Sequence, residues 1–226
     1  MRKDEGTATT SAELRAHNLA RLLRAVHHGG GQLTRAELTR QLSLARGTAT
    51  VLVRDLAGRR LIEELTSPVD AGVQRARGRP TGVPSAHVQG PVALAVDLRD
   101  DSFTVAAFEL TGRCTVLDRQ ERNAGTGTGM LTDLADRLKI HGRQFADRVV
   151  GVGIAVPSPV RGGTMVQPTL TEWQDLDVTA ALGPSVAFGP VLTGNDATLA
   201  GLAEARRGVL RGVPVALHLH VATGIG

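Results

Sequence analysis

The chain has 226 residues, enough for one domain of ordinary size plus a smaller one, and its 42% hydrophobic content supports a real core. With 4 Phe, 1 Trp and no Tyr, that core must be built from Leu, Val and Ala; the single cysteine, Cys114, excludes an intrachain disulfide framework and any Cys-rich zinc site within the chain. The net charge is +4, but residues 1–90 carry 14 Lys and Arg against 8 Asp and Glu, and residues 91–226 carry 12 against 14. A basic front and a mildly acidic back imply that only the front meets a polyanion. No apolar run is long enough to span a bilayer, and the first thirty residues lack the apolar region of a signal peptide, so the expected location is cytoplasmic.

Residues 1–10 are polar. From Ser11 a helical pattern sets in, with Leu19, Leu22, Leu23 and Val26 as its apolar stripe and Gly29, Gly30 and Gly31 as its stop. Thr34 and Glu37 form a capping-box signature for a second helix, with Leu33 and Leu38 placed to staple across its start. That helix is expected to run through Leu42, followed by a short turn at Ser43 and Leu44. A third helix begins near Ala45, and Ala49, Leu52, Val53 and Leu56 fit its inward face. Arg46, Gly47, Thr48, Thr50, Val51 and Arg54 are left pointing outward. Three short helices with a tight turn before the third predict a helix-turn-helix whose third helix enters a major groove. A strand over Leu61–Leu65, a basic loop with Arg75, Arg77 and Arg79, and a returning strand near Val83–Val88 predict a wing, whose arginines suit phosphates or a narrow minor groove.

Gln89-Gly90-Pro91 reads as a boundary, which gives a winged helix over residues 11–88 and a second domain over 91–226. In the second, strands are expected at Val92–Val96, ending in Asp97, at Phe103–Leu110 and at Thr115–Arg119. A Gly/Thr-rich turn from Ala124 to Gly129 leads to a helix over Met130–His141, and Val149–Val156 reads as a buried strand. Three strands, a helix and a strand predict an α/β domain with a mixed sheet. A helix follows over Ala197–Arg207, with Asn195 or Asp196 as its cap and Glu204 in an exposed position. His218 and His220 alternate on the face of a last strand over Val215–Gly226. With no third ligand near them, they do not predict a metal site.

The stretch LRAHNLARLLRAVHHGGGQLTRAELTRQLSLARGTATVLVRDLAGRRLIEE, with the GRPTG that follows, resembles the winged helix of ROK-family regulators. Ala45 departs from that pattern, which has a capping Ser or Thr there. GVGIAVPSPV at 151–160, the Trp173 segment from Thr171, LTGNDATLAGLAEARRG from Leu192 and HLHVATGIG from His218 resemble the family's kinase-like domain. The resemblance implies a winged helix-turn-helix joined to a partial actin-like, ribonuclease H-like ATPase domain. It also implies that Asn195 and Asp196 derive from a sugar site, with Asp196 at the kinase general-base position. Asp97, Thr223, Gly224 and Gly226 are implied as remnants of the phosphate loops.

Family kinases follow the first strand with Asp-x-Gly-Gly-Thr, where this chain has Asp97-Leu98-Arg99-Asp100-Asp101. The glycines that admit phosphate are absent, and two carboxylates in their place repel it. The chain stops at Gly226, before the family's zinc segment and much of the second lobe, so the resemblance implies a truncated protein with no cofactor and no resident metal. The expected function is a DNA-binding regulator, a repressor rather than an enzyme. Its expected partners are double-stranded operator DNA, a sugar or sugar phosphate, and a second copy of the chain. The alternatives are an ATP-dependent sugar kinase and an inactive relic.

Overall fold

The computed structural model describes residues 10–66, 82–121, 127–166, 173–186 and 188–221. The chain divides into two compact units, one of Met1–Pro91 with Glu109–Arg113 and one of Val92–Phe108 with Cys114–Gly226.

In the first unit, α1 spans Ser11–His28, α2 Arg35–Gln41 and α3 Arg46–Gly58, followed by strands β1 (Ile62–Thr66) and β2 (Gly82–Ala86). Both α1 and α2 start with a full capping box. Thr34 Oγ1 accepts from the Glu37 amide at 3.3 Å, and Glu37 Oε2 accepts from the Thr34 amide at 2.8 Å. Thr10 and Glu13 make the same reciprocal pair at 3.2 and 2.7 Å, a second instance of the T-x-x-E spacing that the sequence reading passed over. α3 starts at Ala45, whose backbone is extended as a cap requires but whose methyl group can accept nothing. After α1 the chain reverses through Gly30 and Gly31, at φ +58° and +71°. A Cβ at Gly31 would in addition lie 2.5 Å from Ser85 Oγ on β2, so glycine is required there on two counts.

The inward faces close into one core of Leu22, Ala25, Val26, Leu38, Leu42, Leu52, Val53, Leu56 and Ile62. Ala49, Leu52, Val53 and Leu56 are each 3% exposed or less, as the spacing predicts. Asp55 of α3 accepts from Arg15 of α1 and from Arg59 just past the end of α3, each at 2.7 Å, and so ties α1 to α3 at their rim. β1 and β2 pair antiparallel from Ile62↔Ala86 to Thr66↔Gly82. Three helices and this ribbon are the winged helix-turn-helix arrangement.

In the second unit, β3 (Val92–Leu98), β4 (Ser102–Glu109), β5 (Cys114–Glu121), β6 (Val149–Val156) and β9 (Val191–Asn195) form a five-stranded sheet in the order β5-β4-β3-β6-β9. β6 runs parallel to β3 and β9 parallel to β6, while β5 is antiparallel to β4. The sheet is therefore mixed, in the strand order of an actin-like ATPase half. α4 (Gly127–Phe145) connects β5 to β6, and its Met130, Leu131, Leu134, Ala135 and Leu138 pack into one core with Val92, Leu94, Val96 and Ile154 of the sheet. β7 (Val160–Arg161) and β8 (Thr164–Met165) form a short hairpin, then come α5 (Val178–Leu182) and, after β9, α6 (Asp196–Arg207). Trp173 is fully buried in the same core.

Three expectations change. Gly127–Gly129, read as turn, belong to the first turn of α4, which also runs on to Phe145 through Gly142. The strand expected over Val215–Gly226 is not formed over 215–220, and Val221, the last described residue, has only an isolated bridge. Val215, Leu217 and Leu219 are 87%, 89% and 63% exposed, so no neighbour among the described residues takes up their side chains. His218 and His220 therefore do not share a strand face. Glu204 is half-buried, and its Oε2 accepts from the Val209 amide at 3.0 Å, closing the end of α6.

Candidate functional site

Helical geometry orients α3. Its buried face is centred between Leu52 and Leu56, and at 3.6 residues per turn the opposite arc is centred on Gly47, Val51 and Arg54. Arg46 and Thr50 flank that arc on the side of α2, and Thr48 on the side of α1. All six are exposed, so the residues picked out from spacing lie together on one surface. Thr50 Oγ1 donates to the Arg46 carbonyl at 3.0 Å, which fixes one hydroxyl against the helix. Arg46 and Arg54 have no ion pair among the described residues. Arg15 and Arg59 are different, because their hydrogen bonds hold the Asp55 carboxyl below its ordinary range and commit both guanidiniums to it.

Beside this arc, Arg35, Thr39 and Arg40 of α2, Ser43, Arg46 and Thr50 line an open recess of about 860 Å³, bounded by Glu64 and Gly82 of the wing strands. Three arginines and three hydroxyls make it a basic, hydrogen-bonding concavity. Arg35 Nε donates to Glu64 Oε1 at 3.0 Å, so one of the three is tied to the wing. Arg35 and Arg40 were missed in the sequence. For Arg40 the signal was present, since turning Leu38 and Leu42 inward leaves it outward, whereas Arg35, seven residues before Leu42, falls on the half-buried side of α2. The wing residues Arg75, Arg77 and Arg79 lie outside the described residues.

The second candidate lies at the carboxyl ends of the parallel strands β3, β6 and β9, where α/β sheets place ligands. Asn195 caps α6: its Oδ1 accepts from the Thr198 amide and hydroxyl, both at 3.0 Å. Its Nδ2 donates to the Ser158 carbonyl at 3.3 Å and to Asp196 Oδ1 at 3.0 Å. The Ala197 amide also donates to that oxygen at 2.7 Å, while Oδ2 faces His220 at 3.9 Å. The first Asp196 oxygen is thus fixed by structure, and the second remains for a ligand or for His220. At the end of β3, Asp97 Oδ2 accepts from Arg99 Nε at 3.0 Å. That bond keeps Arg99 firmly charged, and Asp101 and Asp196 reinforce it. The turn closes with the Arg99 amide on the Ser102 carbonyl at 2.8 Å. Thr223, Gly224 and Gly226 lie outside the described residues.

A sheet of this order is found in a regulator and in sugar kinases alike, and the regulator match, unlike that to a kinase, also takes in most of the first unit. Residues 93–226 match the ROK family, and the chain belongs to that family. No curated protein matches the chain. Among solved structures, a ROK family transcriptional regulator, a homolog of the E. coli Mlc protein, superimposes with a TM-score of 0.63 at 23% identity. That match covers 85% of this chain and 48% of the other. A ROK hexokinase from Thermus thermophilus gives 0.49 at 27% identity over 60% of this chain and 45% of the other. A ROK family glucokinase from Streptomyces griseus, solved with glucose and AMPPNP, gives 0.50 at 20% identity over 60% and 43%. The chain spans about half the length of these proteins. Among the described residues, no helix is long and apolar enough to cross a membrane.

Proposed function

We propose that the chain is a DNA-binding transcriptional regulator of the ROK family, acting as a repressor, whose second unit senses a sugar or sugar phosphate without phosphorylating it. The observation that carries this reading is the surface of α3. Arg46, Thr48, Thr50, Val51 and Arg54 stand on one exposed arc beside the recess of Arg35 and Arg40. A helix of this kind fits a major groove with its N-terminal half at the base edges, and the recess suits the phosphates of one flanking strand. Binding as a homodimer to a two-fold site follows from the usual symmetry of such operators.

The Asn195–Asp196 corner supports a sugar ligand through one carboxylate oxygen, Asp196 Oδ2, which can accept from hydroxyls, while the Asn195 amide is spent on holding the corner in place. The same corner favours the kinase alternative in one respect, because Asp196 stands where a base would. Nucleotide phosphates do not fit the neighbouring turn. Asp97, Asp100 and Asp101 crowd it with negative charge, Arg99 is already bound to Asp97, and no glycine between 97 and 102 opens its amides. ATP is accordingly no cofactor in this reading.

The test is binding of the full chain to DNA from upstream of its own gene, at two salt concentrations, with Arg46→Ala and Arg54→Ala alongside. Saturable binding that exceeds that to random DNA, weakens with salt and drops in both variants supports the regulator. A folded chain with no preference over random DNA would rule it out.

A further inference from the structure

The outward arc of α3 contains an element that the fold does not use. Val51 is 39% exposed, and its neighbours at the midline of the arc are Gly47, one turn earlier, and Arg54, three residues later. Of the six outward residues only Val51 carries a wholly apolar side chain. It is absent from the core that Leu52 and Val53 help to build. Val51 borders a shallow recess with Leu14 and Asn18 of α1, but a β-branched residue at an exposed helix position costs helix propensity and leaves apolar surface in water, so stability gives little reason for it.

Gly47 adds a second, independent observation. A Cβ built there meets nothing within 4 Å, so the space over the first turn of α3 is open, and the missing side chain leaves the backbone uncovered. A short side chain such as valine reaches a base edge only when the helix axis approaches closely. A bare residue at i−4 permits that approach. Arg46 and Arg54, with no ion pair among the described residues, supply the charge complement for the flanking phosphates.

We propose that Val51 is a specificity residue that packs on the C5-methyl group of a thymine in each half-site of the bound DNA. The major groove offers hydrogen-bond donors, acceptors and that one methyl group, and valine can engage only the last. Thymine is selected over cytosine at this position because cytosine presents an amino group and no methyl. The inference rests on the regulator reading and adds to it which base feature the centre of the helix reads.

The experiment starts from the duplex that the full chain selects out of a random pool. Each thymine in that duplex is replaced in turn by deoxyuridine, which removes the methyl and keeps base pairing. The expected result is one position per half-site at which the replacement weakens binding about fourfold, the worth of one buried methyl group. Val51→Ala is expected to bind the thymine duplex more weakly and to lose its sensitivity at that position alone. Val51→Thr, which keeps one methyl on the same β-carbon, retains part of the sensitivity. Specific binding with no deoxyuridine-sensitive position, or sensitivity that persists in Val51→Ala, overturns the inference and leaves the regulator reading standing. If no duplex is selected, the regulator reading itself fails and the inference falls with it.

Discussion

At the scale of single residues, the first unit combines two well-capped helices with one uncapped start. Ala45 has the backbone angles of a cap and no acceptor, so the amides of the first turn of α3 lack a side-chain partner. Ala45→Ser is expected to stabilise the unit by about 1 kcal/mol, read as added amide-exchange protection in the first turn of α3. Glu64 is the other residue with a definite expectation. It holds Arg35 across the mouth of the basic recess, with both side chains about one-third exposed. Exposed pairs of this kind contribute up to about 1 kcal/mol, so Glu64→Gln should release Arg35 and tighten DNA binding by roughly two- to fivefold. A titration at fixed salt measures it. Unchanged or weaker binding would remove Arg35 from the interface.

At the scale of elements, helix starts and inward faces were legible in the sequence because both are local. Thr34 and Glu37 sit three residues apart, and Ala49, Leu52, Val53 and Leu56 repeat within one helix. Up to β6, found at its observed bounds, the order of strands and helices was legible for the same reason, while β7, β8, α5 and β9 were not read. What failed depended on partners distant in sequence. The apolar alternation of 215–221 resembles a strand, but a strand exists only when another strand accepts its hydrogen bonds. The glycines at 127 and 129 resemble a turn, and tertiary packing of Met130, Leu131 and Leu134 on the sheet draws them into α4. The recess of Arg35 and Arg40 needed the relative placement of α2, α3 and the wing, which no spacing within α2 encodes.

The caps also set a pH response. Glu37 is held below the ordinary carboxylate range by bonds from the Thr34 hydroxyl and amide, and Asp55 by Arg15 and then Arg59. A carboxylate with a lowered folded pKa contributes its full stability above its unfolded value, about pH 4, and loses it as the pH falls through the folded value. Amide exchange of α2 and α3 should therefore stay constant from neutral pH to about 5, once corrected for intrinsic rates, and accelerate below that. In Glu37→Gln the acceleration should be shallower. Asp118 of β5 adds the same sign in the second unit. Burial opposes its charge, but hydrogen bonds from Gln120 and His141 and the charge of Arg137 outweigh it.

At the scale of the whole molecule, chemistry separates the two units. Arginines, of which Arg35 alone is paired to a carboxylate among the described residues, line one surface of the first, while carboxylates crowd the strand ends of the second around Arg99. ATP-dependent phosphorylation of hexoses is expected to be absent in a coupled assay of ADP release, with and without added magnesium. Turnover above background that disappears in Asp196→Asn would instead establish the kinase alternative.

One contact in the second unit bears on which sequences this fold can accept. Gly142 sits inside α4, where alanine is ordinarily favoured by about 1 kcal/mol. The ring of Phe188, from the segment before β9, occupies the space a Cβ at Gly142 would need. The two positions are therefore epistatic. Gly142→Ala alone forces the ring out and destabilises, whereas the same change after Phe188→Leu meets a smaller neighbour and recovers the helix preference. Substitutions at this pair are accessible in one order and blocked in the other, so the route of change through sequence space has a direction at this point.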